Sequence, residues 1–299
     1  MEQDHLALNK QAIAKAQPYM GSFAVGTVAL TVVVLVIFIG NLWAFSAGVL
    51  PFWAAMLVFT AITFMSYTPV HEAAHGNIDG TQTHLKWLND ACGYLCAQII
   101  MVPYSTHKVE HFTHHRYTNH PEKDPDYVIR GMANGAVSFV KATILFVWTQ
   151  LTFLFHGEWE KLPLSEKAAF CIEVALAITW RIALLSLLPQ PSGFVLIIGG
   201  YLLAVVFTAY WFAYRPHHPY VETARYRNTN SLIMPIWMKP LEWFWLGQNL
   251  HSIHHAFPRV PFYKYHALYA DIEPILRDMN APVIGIFSRE PVPAVSTQH

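Results

Sequence analysis

Residues 18–70 contain no Asp, Glu, Lys or Arg. A run this long and this apolar is sufficient for two membrane spans of about 20 residues each. In lipid every backbone N–H and C=O must be satisfied within the chain, so such a run folds as helix. Ser46-Ala47-Gly48-Val49-Leu50-Pro51 is turn-prone and divides it, predicting a helical hairpin over about 21–47 and 51–70. A second apolar pair is expected at about 168–188 and 194–213, broken by Pro189-Gln190-Pro191-Ser192-Gly193. Arg181, near the far end of the third span, is expected to snorkel to the headgroups. Only 13% of residues are charged, against about 25% in a typical soluble domain. Lys plus Arg and Asp plus Glu number 19 each, so no basic excess points to a nucleic-acid partner.

The short connections near 47–51 and 189–193 lack Lys and Arg. The positive-inside rule therefore puts both termini and the long 71–167 segment in the cytoplasm, with a polar N-terminal stretch 1–17 and a C-terminal tail 281–299. Residues 136–155 are also long enough to cross. A crossing there would separate the last histidine cluster from the first, so they are read as a helix lying in the interface with Lys141 towards water. Residues 91–103 are too short to cross and are expected to form an interfacial or buried piece. Cys92, Cys96 and Cys171 do not make a disulfide framework and are read as packing residues. The whole chain, 1–299, is taken as one all-α membrane domain of about four spans beneath a histidine-rich cytoplasmic cap.

Most of the 17 histidines fall in clusters beside these apolar segments. The clusters are His71-Glu72-Ala73-Ala74-His75; His107, His111, His114 and His115; and His251, His254 and His255, with a pair at His217-His218. Spacings of three and four place side chains on one helical face. Neutral imidazole suits Fe, Zn, Cu and Ni. One metal cannot accept so many rings, so the count implies a binuclear site. His5, His84, His156, His266 and His299 stand alone and are read as surface or packing residues. The first cluster is also an H-E-x-x-H sequence, which allows an intramembrane zinc protease with Glu72 as base, but that reading leaves the later clusters idle. A metal transporter would place its ligands within spans near the midplane. Carboxylate-rich di-iron proteins need paired Glu-x-x-His motifs, and within the histidine clusters Glu72-x-x-His75 is the one match. An oxygen-activating di-iron enzyme accounts for all the clusters.

The clusters resemble the three histidine boxes of the integral-membrane fatty acid desaturase/hydroxylase superfamily, H-x3-4-H, H-x2-H-H and H-x2-H-H, over about residues 50–280. Thr118-Asn119-His120-Pro121-Glu122-Lys123-Asp124-Pro125-Asp126 is similar to that superfamily's N-D-P-E-x-D-P-D stretch, with His120 in place of the usual Asp. Pro216-His217-His218-Pro219-Tyr220, Gly247–His255 and Pro258-Arg259-Val260-Pro261-Phe262-Tyr263 resemble cyanobacterial-type β-carotene hydroxylases. Glu72 in the first box looks closer to bacterial fatty acid desaturases. The resemblance implies two irons held by His71, His75, His111, His114, His115, His217, His251, His254 and His255, with O2 as co-substrate. It leaves His107, His218, Glu72, Asp124, Asp126 and Asn249 as accessory groups around them. It implies a lipid substrate, an external electron donor such as ferredoxin, and residence in a bacterial inner membrane. Carotenoid ring hydroxylation is the first expectation, with residues 216–263 and their Trp237, Trp243, Phe244 and Trp245 lining the channel; acyl-lipid desaturation is the alternative.

Overall fold

The structure is a computed structural model and describes residues 2–294; His299 and the end of the expected tail lie outside the described residues. Helices α1 (Glu2–Ala16), α2 (Val25–Ser46), α3 (Phe52–Met65) and α4 (Tyr67–Ala74) open the chain. The α2–α3 turn falls at Gly48, whose φ of 69° favours a residue without Cβ. Pro51 immediately precedes α3, whose first turn loses no hydrogen bond to it. Val36, Ile39 and Trp43 on α2 are exposed, as expected of a lipid-facing surface.

Helix α5 (Lys86–Ile100) buries one face: Cys92, Cys96, Ala97 and Ile99 join Phe38, Phe59 and Ala73 in one apolar core, while Trp87 and Leu95 on the other side are exposed. It fixes α4 against α6 (Tyr104–Tyr117). Gly93 lets the Tyr104 ring close in, since a Cβ there would sit 2.7 Å from it. The Tyr104 hydroxyl donates to Ala73 O at 2.9 Å, and Asn89 Nδ2 donates to the same carbonyl at 3.0 Å.

A 3-10 stretch, Pro125–Asn134, leads to α7 (Ala136–Thr152). Helices α8 (Leu164–Leu187) and α9 (Ser192–Thr208) form the second hairpin. Beyond α9 the helix widens into a π turn, Ala209–Tyr214, and ends in α10 (Arg215–His217). Among the described residues five helical stretches could cross a membrane by length and composition, Ala136–Lys161 among them. Lys141 on α7 is exposed, as are Val137, Ile144 and Trp148.

The remainder is a cap: β1 (Ser231–Ile233), α11 (His251–Ala256), α12 (Tyr265–Asp278), β2 (Pro282–Gly285) and β3 (Val292–Pro293). A helix of six residues is not stable alone. α11 is held by Leu268, Ile272 and Leu276, an i, i+4, i+8 stripe on α12 that packs with Leu250 and Ile253. Each such buried side chain contributes about 1.5–3 kcal/mol at most.

Two expectations are corrected. Residues 282–293 are not a free tail: β2 pairs in parallel with β1 (Ser231↔Val283) and antiparallel with β3 (Val283↔Val292), a small sheet in an otherwise helical chain. Arg181 does not snorkel outward. It is buried, and its guanidinium donates to Gln98 O, to Ala177 O at 2.9 Å and to Tyr201 Oη at 3.2 Å, beside the Trp180 ring. Inside an apolar bundle a charge turns to whatever acceptors the bundle supplies.

Candidate metal centre

Helix α4 carries His71 and His75 one turn apart, with ring centroids 5.2 Å from each other. α6 carries His107, His111, His114 and His115, and its N-terminus is tied down by a carboxylate from α8. Ser105 N donates to Glu173 Oε2 at 3.3 Å and Ser105 Oγ to the same oxygen at 2.6 Å, while Tyr104 N donates to Glu173 Oε1. This satisfies donors that a helix N-terminus leaves free. The π turn sets the phase at which α10 presents His217. The turn into α11 requires Gly247, at φ 77°, where a Cβ would meet Phe262 O at 2.7 Å.

These four elements converge. One ligand atom from each of His71, His75, His111, His115 and His254 lies within 4.8 Å of the others, and the same holds for His114, His217, His251 and His255. All nine residues of the implied ligand set are in one group or the other. Nε2 of His111 is 3.0 Å from that of His75 and 3.1 Å from that of His115, which is 2.8 Å from that of His254. A neutral imidazole has one donor and one acceptor nitrogen, so these nitrogens cannot all be satisfied by one another. His71 Nδ1 and Nε2, His217 Nδ1 and His251 Nδ1 are buried without a hydrogen-bond partner. A cation in each group would take one nitrogen of each ring. Five imidazoles exceed the four ligands of an ordinary zinc site, so the donor set fits a pair of transition metals such as iron.

Burial keeps the rings neutral, which is the form that binds metal. It brings His75 and His251 down to about 3, with neighbouring histidines adding to the effect. His111, His115, His254 and His255 are likewise held well below the usual range, first by burial and then by their neighbours. His114 is the exception. Burial lowers it, but the Asp124 and Asp126 carboxylates outweigh that and raise it to about 9.

The accessory groups divide. Asp124 Oδ1 is 2.8 Å from His114 Nδ1, which turns the other ring nitrogen towards its group. Asp124 also organises the Pro-rich turn, accepting from Asn119 N at 2.7 Å and Asp126 N at 2.9 Å, so the orienting and the turn-forming roles coexist. His120, in the place of the usual Asp, accepts from Glu122 N through Nδ1 at 3.2 Å. Asp126 stands 3.8 Å from His114. His107 belongs to neither group; it stacks on His111 and lies 3.4 Å from Gln150 Oε1 through Nδ1.

The remaining three accessory groups make their hydrogen bonds away from the ligating rings. Asn249 donates to Glu242 Oε1 at 2.9 Å rather than to a histidine. His218 pairs with Tyr214 Oη and with Glu290, both at 3.2 Å. Glu72 accepts from Asn77 Nδ2 at 3.2 Å and Thr27 Oγ1 at 3.3 Å, bracing α4 against α2.

Sequence reasoning missed Tyr265, whose hydroxyl is 3.1 Å from His254 Nδ1, and Thr118, whose hydroxyl is 3.4 Å from His255 Nδ1. It also missed Glu173, for which an acid inside an apolar helix was an available signal.

A cavity of about 490 Å³ abuts the histidines, with walls supplied largely by α7 and α9, including Ile144, Val147, Leu151, Leu202 and Val205. His107, His111, His114, His217 and His251 line its inner end. From the 216–263 region, His217 and His251 line it; Trp237 and Trp243 are exposed elsewhere and Phe244 and Trp245 pack in a separate core. The aromatic residues offered as a ring-binding channel therefore do not form one. The histidine groups also bear on topology. His115 and His217 are in adjoining groups with α7, α8 and α9 between them, so an even number of those three helices crosses.

A model of the fatty acid desaturase family matches residues 47–287. The chain belongs to that family. Relatives include a probable fatty acid desaturase DES1 of Sorghum bicolor, 25% identical over 82% of this chain and 68% of the relative. A chloroplastic sn-2 acyl-lipid omega-3 desaturase (ferredoxin) of Helianthus annuus is 23% identical over 80% of this chain and 57% of the relative. A Delta(12) fatty acid desaturase, fat-2, of Caenorhabditis elegans is 34% identical over 24% of this chain and 17% of the relative. The chain thus spans between 17% and 68% of the length of these curated relatives. They are named as desaturases; the likeness to carotenoid hydroxylases has no counterpart among them.

Proposed function

We propose that this chain is a membrane di-iron oxidoreductase that desaturates a fatty acyl lipid. The observation that carries the reading is two adjoining groups of five and four imidazoles at the inner end of an apolar cavity. His71, His75, His111, His115 and His254 would hold one iron, and His114, His217, His251 and His255 the other. When bound, the two irons supply oxygen activation and removal of hydrogen from an unactivated C–H bond.

The chain's own residues do the rest. Asp124, Tyr265 and Thr118 hold the rings of His114, His254 and His255 in register, which keeps the reacting geometry fixed. The aliphatic faces of α7 and α9 exclude water and align an acyl chain past His107, His111 and His217. Electrons come from a separate carrier, ferredoxin being one chemistry of the right kind, docking on the face that bears the histidines. That face is cytoplasmic, from the Lys and Arg distribution, and the membrane is the inner membrane of a bacterium. Acyl desaturation is favoured over carotenoid ring hydroxylation because the relatives are named as desaturases and because the Trp-rich segment lies away from the cavity.

The test is expression with a ferredoxin system in a bacterial host that accumulates β-carotene. New double bonds in membrane fatty acids, with carotenoids unchanged, are expected. Hydroxylated carotenoids with an unaltered fatty acid profile would overturn the assignment. Iron analysis separates the class: two irons per chain are expected, and one zinc with no iron from iron-replete cells would exclude it.

A further inference from the structure

The cavity wall is largely aliphatic and aromatic, and beside the histidines it carries two carboxylates, Glu110 and Asp126. Glu110, immediately before His111 on α6, lines the cavity and is 1% exposed, and neither of its carboxylate oxygens has a hydrogen-bond partner. Nε2 of His107, on the same wall, is also without a partner. Asp126 and Gln150 lie beside the Glu110 carboxyl and are turned to each other and to His107: Gln150 Nε2 donates to Asp126 Oδ1 at 3.3 Å, and its Oε1 lies 3.4 Å from His107 Nδ1. The nearest cationic candidate, His107 Nδ1, stands 3.9 Å from Glu110 Oε2, beyond hydrogen-bond range.

A buried carboxyl group without a partner is costly, and an all-hydrocarbon substrate would leave it that way. A substrate carrying a hydroxyl or an amide N–H at this point would satisfy it. A site built to hydrogen-bond one substrate group discriminates strongly against an analogue that lacks the group. We propose that Glu110 is the specificity residue of this cavity: it accepts a hydrogen bond from a substrate hydroxyl or amide N–H. The preferred substrate is then a lipid bearing such a donor close to the C–H bonds presented to the histidine groups. This deepens the desaturase reading and rests on it for the identity of the cavity as the substrate site.

The test is a binding series on the iron-loaded protein in lipid nanodiscs, without electron donor so that nothing turns over. The probes are octadecanoyl amides with a single hydroxyl moved along the chain, against octadecanoyl methyl ester. At least one member should bind about tenfold or more tighter than the ester, the scale of a hydrogen bond to a charged acceptor. Glu110→Leu should erase that gap by weakening the hydroxylated probe and strengthening the ester. Glu110→Gln should keep part of it, because an amide oxygen still accepts. Iron content measured alongside should remain at the wild-type level, which a purely bracing role for Glu110 would not require. Equal binding of all probes by the wild type would overturn the proposal, as would a gap that survives in Glu110→Leu. Should the leucine variant fail to fold, the wild-type series alone decides. Turnover then separates the two readings: plain chains desaturated as fast as hydroxylated ones would refute the role of Glu110 and leave the desaturase, whereas oxidation of no lipid by reduced, iron-loaded protein would refute the desaturase.

Discussion

Asp124→Asn tests how the four-nitrogen group is held. Three donors converge on this carboxylate: His114 Nδ1 at 2.8 Å and Asp126 N at 2.9 Å on Oδ1, and Asn119 N at 2.7 Å on Oδ2. An asparagine has one acceptor oxygen, so whichever way it is turned, its NH2 meets an N–H. Leaving a buried donor unsatisfied costs about 1–3 kcal/mol of stability. Losing a carboxylate behind a ligating imidazole lowers metal affinity by about 10–100-fold. The loss should be selective. His114 is one of only four nitrogens in its group, and the hydrogen bonds of the Asp124 carboxylate go to His114, Asn119 and Asp126 rather than to the five-nitrogen group. Titration of the iron-loaded variant with a chelator should release one iron at a roughly 10–100-fold lower chelator concentration than the second. Thermal melting should show the stability loss in parallel. Asp126→Asn, 3.8 Å from His114, should have a smaller effect. Wild-type chelator resistance and melting in Asp124→Asn would refute the orienting role.

Acidification should destabilise the iron-free protein. Burial holds folded His75, His107 and His251 near 3, 4 and 3, below the 6.5 of the unfolded chain. Their contribution is therefore complete above about pH 6.5 and is lost as pH falls towards 4, at about 1.4 kcal/mol per pH unit for each ring. His114, raised to about 9 with Asp124 and Asp126 outweighing its burial, runs the other way and loses its contribution as pH rises through 9. A melting temperature as high at pH 5 as at pH 7.5 would contradict this balance. His107→Ala should keep both irons while reducing turnover about 10–100-fold, the range for groups one step behind the ligands; loss of an iron would make it a ligand. Glu72→Gln should retain iron and turnover, since Glu72 faces Asn77 and Thr27; a variant that keeps its metal but loses all activity would revive the H-E-x-x-H reading, in which Glu72 is the base. In a Cys171→Ser background, Gly48→Cys and Ser192→Cys should label from outside the cell and Asn134→Cys should not. Labelling at 134 would mean that the one-sided histidine site is wrong.

Much of the architecture was legible because its causes are local. A charge-free run over 18–70 with a Gly-Pro turn in its middle has few outcomes in lipid except a helical hairpin, and α2 and α3 form it. All nine histidines of the implied set are brought together, since i, i+3 and i+4 spacing keeps each box on one helical face. Composition could not decide α7, which is apolar enough to cross, because crossing depends on which faces its neighbours leave open.

How the histidines divide was set by tertiary structure alone. His114 and His115 are adjacent in sequence yet serve different groups, because consecutive helical residues point about 100° apart. His254 joins the first two boxes while His251 and His255 join His217. That split depends on the roll of α11 against α12, which long-range packing of Leu268, Ile272 and Leu276 decides. The partners of Glu173, Arg181 and Glu72 were hidden for the same reason. A sequence shows that a charge lies in an apolar helix, but its partner 69 residues away (Tyr104 from Glu173) or 83 away (Gln98 from Arg181) exists only once the helices pack. Local periodicity is written in consecutive residues, whereas the pairing of distant faces is a property of the assembled bundle.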